Sequence, residues 1–130
     1  MANGPDRATF WQKFIVQRCG FPKPELLIAQ FQNADLSDFC ACGCNSFAVS
    51  VRGSPDVPPL AKRGGYGLVF EVDFKLPGEE QSLEILLFSG ESGYLEYVEI
   101  DCCGNSFPVP ENINVENAPY NVFLHKSLAL

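Results

Sequence analysis

The run Tyr66-Gly67-Leu68-Val69-Phe70-Glu71-Val72-Asp73-Phe74-Lys75-Leu76 sets Phe70, Val72 and Phe74 against Glu71 and Asp73. Successive side chains of an extended strand point to opposite faces. The run therefore reads as a strand with one apolar face to bury and one acidic face to leave in water. Pro77-Gly78 supplies turn chemistry after it, and Leu83-Glu-Ile-Leu-Leu-Phe88 follows as a second strand. Ser89-Gly-Glu-Ser-Gly93 supplies a turn again before a third strand at 94–101. Upstream, 46–51 alternates Phe47, Val49 and Val51 against Ala48 and Ser50, a fourth strand. Between them, 53–65 holds three prolines and three glycines and reads as a long loop.

Segment 83–88 is apolar on nearly both faces, which places it centrally, with helices on one side and another cover opposite. Val122-Phe-Leu124 and Leu128-Ala-Leu130 are too apolar to hang in water. The expectation is that this tail docks as the cover or enters an oligomer interface.

Helical spacing governs the N-terminal part. Phe10, Trp11, Phe14, Ile15 and Arg18 fall at helical intervals over 7–19, with Asp6 as the expected N-cap and Gly20 as the stop. Trp11 then belongs to the core. A shorter helix is expected over 25–31, after the breakers Pro22 and Pro24. The expected fold is α+β: N-terminal helices packed on an antiparallel β-meander of about four strands. No repeat or linker divides the 130 residues, so 1–130 reads as a single domain.

Hydrophobic residues make up 46% of the chain, enough for a packed core, which argues against a disordered chain. Charge is unevenly placed. From 76 to 125 there are nine acids and no Lys or Arg, whereas the first 75 residues carry eight bases against seven acids. A one-signed acidic block repels phosphate backbones, so nucleic acid is excluded as a partner and a basic protein partner is favoured. The N-terminus lacks the basic start and apolar run of a secretory signal. No stretch approaches the roughly 20 apolar residues of a membrane helix. A cytoplasmic location is the expectation, with no membrane partner, and in that compartment cysteines stay reduced or bind metal.

Three of the six cysteines crowd into Cys40-Ala-Cys42-Gly-Cys44. Extended residues two apart lie roughly 6.6 Å from each other, too far for all three thiolates to reach one zinc at about 2.3 Å. A turn is required, and Gly43 permits one. Cys102, Cys103 or His125 would supply the remaining ligand of a zinc site. The usual Cys-x-x-Cys spacing is absent, and small apolar thiols in a tight turn account for the same pattern. A nucleophilic cysteine would need a neighbouring base, and the one histidine lies about eighty residues away in sequence.

Glu71 and Asp73 share a strand face, with Glu84, Glu96 and Glu99 on the neighbouring strands. Paired carboxylates in a cleft perform acid–base catalysis, but no cleft signal accompanies them and exposed sheet carboxylates explain them equally. Nucleophile-elbow, phosphate-loop, dinucleotide and His-Glu-x-x-His motifs are absent. Gly64-Gly-Tyr-Gly67 precedes a strand rather than a helix and lacks the anion-binding helix end.

The run Cys40-Ala-Cys-Gly-Cys-Asn-Ser46, the stretch 86–100 and Phe107-Pro-Val-Pro110 together resemble a group of small bacterial proteins. That group has a Cys-x-Cys-Gly-Cys turn, a hairpin of the Gly-x-Leu-x-x-Leu-Glu type and a closing Pro-x-Pro. Here Tyr97 and Val98 fall in the leucine region, and Cys102-Cys103 looks like a local addition. The resemblance implies no activity. The residues themselves lead to a non-enzymatic interaction module that binds a basic partner, as an immunity protein binds a toxin. The alternative is a metal-binding protein with a cysteine-rich zinc site.

Overall fold

Proline opens both helices, where its fixed φ suits the first turn and its missing N–H costs nothing. Helix α1 spans Pro5–Arg18 and α2 spans Pro24–Gln32. The structure, a computed structural model, describes residues 3–41, 43–62, 66–76, 81–103, 106–113, 115 and 117–129. The cap of α1 is Gly4, whose carbonyl accepts the Ala8 N–H at 2.9 Å. Asp6, the expected cap, lies inside the first turn, where its charge meets the positive helix end. The stop at Gly20 is as expected, with φ 73°.

Strands β1 (Ala34–Ser37), β2 (Phe47–Val51), β3 (Gly67–Lys75), β4 (Ser82–Ser89), β5 (Leu95–Cys102) and β6 (Asn121–Leu124) form one antiparallel sheet in the order β1-β2-β5-β4-β3-β6. The α+β class and the β3-β4-β5 meander match the sequence reading. Two strands are added to the four expected. β1 is four residues long and carries Asp35, too short and polar to give a strand pattern. β6 is the apolar tail segment itself. It does not lie over β4 but pairs beside β3, from Phe70↔Leu124 to Asp73↔Asn121.

One face of the sheet takes the helices. Phe14 sets its ring edge-on to Phe74 at 5.4 Å, and Phe21 does so to Phe70 at 5.0 Å. Trp11, Ile15, Leu27, Phe47, Val72, Leu83, Ile85, Val98 and Ile100 fill the layer between them and are buried. The indole N–H of Trp11 and the Nε of Arg7 both donate to Asn45 Oδ1, at 2.9 and 2.8 Å, so the polar atoms of this core are paired.

After β5 the chain returns along α1. Arg7 donates to the carbonyls of Glu111 and Pro110, and Arg18 to that of Val115, whose side chain joins the core. This return path keeps to the helix side. The opposite face of the sheet has no element over it among the described residues.

The β2–β5 junction is narrow. Only Phe47↔Val98 and Ala48↔Tyr97 pair; on one side the contact continues through the Asn45 N–H to the Ile100 carbonyl and the Ile100 N–H to Ser46 Oγ, both at 2.9 Å, and on the other, toward Val51 and Leu95, the strands part. Gln30 of α2, fully buried, fills the divergence: its Nε2 donates to the Pro58 carbonyl at 2.9 Å and its Oε1 accepts the Leu95 N–H at 2.7 Å. Outside it lies an open cleft of about 550 Å³ lined by Val49, Val51, Glu91, Tyr94 and Glu96.

Candidate functional site: a carboxylate face

Strand alternation and register gather acids on the helix-free face. Asp73 pairs with Glu84, and Glu84 with Asp101, so three carboxylates form one row across β3, β4 and β5. The next row holds Glu71, Leu86 and Glu99. Neighbouring strands are about 4.8 Å apart, so each acid of the first row has another beside it. Asp101 completes that row, and the expected face did not include it. Glu96 instead falls at the irregularity between Phe88 and Ser89, near Gly90 and outside the rows. At one end of the face the acids give way to aromatics, Phe88 and Tyr97, with ring centroids 6.3 Å apart.

The acids differ in what they touch. Asp73 accepts a hydrogen bond from Asn121 Nδ2 at 2.6 Å. Glu71 and Asp73, like Glu99 and Asp101, lie two residues apart on one face of their strand, so like charges stand side by side. Asp101 is only 6% exposed, and its Oδ1 accepts no hydrogen bond among the described residues. Lys75, two residues along β3 from Asp73, holds its Nζ over the Tyr120 ring at 4.9 Å.

These surroundings disfavour ionisation. Burial first, and then the neighbouring Asp73, Glu84 and Asp101, push Glu71 up to about 6. Burial first, and then Glu99, Glu84 and Asp73, push Asp101 from 3.8 up to about 6. At neutral pH both are still largely charged, held close to like charges. Such a layer attracts cations and offers them acceptors ready for charge-assisted hydrogen bonds.

The cysteines do not assemble the shell expected for zinc. Cys40 is disulfide-bonded, a departure from the expected reduced cluster, and Cys42 lies outside the described residues. Cys44 is a buried thiol in the turn whose backbone is tied by Asn3 Nδ2 to the carbonyls of Cys40 and Ser46. Gly43 makes that turn with φ 100°, as expected. Cys102 is a buried thiol at the end of β5, and the Cys103 Sγ accepts the Ser82 N–H at 3.3 Å. His125 follows β6 at the far edge of the sheet, and its Nδ1 already accepts the Ser127 N–H at 3.0 Å. The sheet order puts three strands, β5, β4 and β3, between β2, beside the cysteine turn, and β6, which this histidine follows, so the two cannot share an ion. Among the described residues no three His, Cys, Asp or Glu side chains are grouped to hold a metal, and no helix is long and apolar enough to cross a membrane.

Sequence periodicity placed Glu71 and Asp73 on one face and Glu84, Glu96 and Glu99 on the neighbouring strands; register brings Glu84 and Glu99 to that face and leaves Glu96 out. Asp101 shares the face of Glu99 by simple alternation along β5, and the register of β5 against β4, with its irregularity between Phe88 and Ser89, is what sets the two beside Glu84 and Leu86. Comparison of the chain with protein-family models, with curated proteins and with solved structures gave no match.

Proposed function

We propose that this protein is a non-enzymatic interaction module that binds a basic partner through its carboxylate face. The observation that carries this reading is the pair of acidic rows on the helix-free face, Asp73-Glu84-Asp101 and Glu71 with Glu99, in which Glu71 and Asp101 are held against burial and like charge. A lysine ammonium or arginine guanidinium from a partner would donate to the half-buried carboxylates of Glu71, Glu84 and Glu99 and add counter-charge to the layer. The acids spread over an open layer rather than converging on a cleft, which favours contact with a surface over acid–base chemistry on a small substrate.

Titration with a synthetic oligolysine tests it. The triple variant Glu71→Gln/Glu84→Gln/Asp101→Asn is compared with a charge-matched control neutralised elsewhere, Glu25→Gln/Asp56→Asn/Glu91→Gln. Binding that weakens steeply as salt rises, and that only the face variant loses, is the expected result. Equal losses in both variants would reduce the effect to net charge and remove the site.

A further inference from the structure

We propose that the outer edge of β6 receives an added strand, an extended segment of the basic partner in which basic and apolar residues alternate. The proposal rests on the carboxylate-face function above and names the form in which the partner binds. The His125 N–H donates to the Val69 carbonyl at 2.9 Å, which sets the phase of the β3–β6 ladder. Hydrogen-bonded and non-hydrogen-bonded pairs alternate in an antiparallel pair. Phe123 therefore turns its backbone groups to β3, while Val122 and Leu124 turn theirs outward. No strand among the described residues pairs with that side. Val122, Phe123 and Leu124 are 47%, 43% and 44% exposed, an apolar stretch without a charge on it.

The opposite edge of the sheet differs. There β1 carries Asp35, ion-paired with Arg52 at 2.7 Å, the kind of charged edge that discourages further pairing. The sheet thus has one guarded and one open margin.

Register dictates what fits the open one. Asn121 and Phe123 lie on the acidic face, opposite Asp73 and Glu71, while Val122 and Leu124 lie on the helix side opposite Val72 and Phe70. A strand laid along β6 would place every second side chain on the acidic face, two strand spacings or roughly 10 Å from β3. Lysine or arginine there reaches back across β6 toward Glu71 and Asp73. The intervening side chains lie beside Val122 and Leu124, where apolar groups are covered. A second copy of the chain is the poorer occupant. Its own β6 brings no positive charge and would join two acidic faces edge to edge.

The test uses two acetylated synthetic peptides of equal charge. One alternates Lys and Val; the other has proline in place of alternate valines and cannot form a strand ladder. The alternating peptide is expected to bind the full-length protein about tenfold more tightly, the equivalent of one or two hydrogen bonds. Its amide shift changes are expected to centre on 122–124 in isotope-labelled wild-type protein. Val122→Pro removes an outward N–H and no bond to β3, so it should abolish the difference while leaving binding of the proline peptide unchanged. Equal, salt-sensitive binding of both peptides would overturn the edge inference and leave the acidic-face function standing. Absence of binding by either in low salt would remove both. A dimer in free solution that Val122→Pro dissociates would assign the edge to a second copy, and the inference fails. Should Val122→Pro not fold, the shift map on wild-type protein decides alone.

Discussion

Replacing Asp101 by Asn tests the electrostatics of the carboxylate face directly. The side chain keeps its shape and loses a charge that its neighbours oppose. Asp101 is raised from 3.8 to about 6 by burial and by Glu99, Glu84 and Asp73, a displacement of about two pH units. One unit corresponds to about 1.4 kcal/mol, so an isolated group would carry about 3 kcal/mol of strain at neutral pH. Solvent screening of the neighbouring, half-buried Glu99 and Glu84 reduces this, and about 1–2 kcal/mol is the expected gain for Asp101→Asn at pH 7.5. The sign follows from proton linkage. A carboxylate whose pKa is higher folded than unfolded destabilises above the folded value, and the native state gains stability as pH falls through 6 toward 4. The wild-type protein should therefore resist urea better at pH 5 than at pH 7.5, since Glu71 acts in the same direction. The advantage of the Asn variant should shrink to about a third at pH 4.5, where native Asp101 is protonated but the unfolded side chain is still largely ionised, and vanish only below the unfolded value near 4. Urea midpoints for both proteins at both pH values measure this. A variant less stable than wild type at pH 7.5, or an equal gain at both pH values, would refute the reasoning.

Two further substitutions probe the scaffold that presents the face. Gly93 has φ 85°, and a Cβ there would collide with the Ala61 carbonyl oxygen; Gly93→Ala should cost more than about 3 kcal/mol in a denaturant titration, because backbone strain and clash combine. Gln30→Leu keeps the volume but strands the Leu95 N–H and the Pro58 carbonyl, so a loss of about 2–4 kcal/mol is expected by thermal melting.

Legibility in the sequence tracked periodicity. The strong alternation of 66–76 announced both faces of β3, and its Glu71 and Asp73 proved to belong to the acidic layer. The helices were evident from the spacing of Trp11, Phe14 and Ile15, though the cap was Gly4 because Pro5 starts the first turn. β1 and β6 were hidden for opposite reasons. Four residues including Asp35 carry too little pattern, and Val122-Phe-Leu124 carries only apolarity, which covers and edge strands share. Asp101 was open to the same alternation as Glu99, two residues before it, whereas Asn121 joined the site through register, a property of pairs of strands that no single run encodes. The cysteine cluster was conspicuous as a motif, yet what its thiols face depends on long-range placement: the sheet order carries His125 to the far margin.

The two-pair contact between β2 and β5 divides the sheet unequally. β3, β4 and β5 are zipped along nearly their whole lengths, whereas the β1–β2 hairpin joins that block at one end alone, through Phe47 and Ala48 and the bonds of Asn45 and Ser46 to Ile100, and Gln30 of α2 holds Leu95 beyond them. Local opening begins where cross-links are sparsest. The hairpin and the helix that carries Gln30 would swing away as one flap, with the acid-bearing strands left in register behind them, so the charged layer can hold its shape through fluctuations that loosen about a fifth of the molecule, residues 24–51.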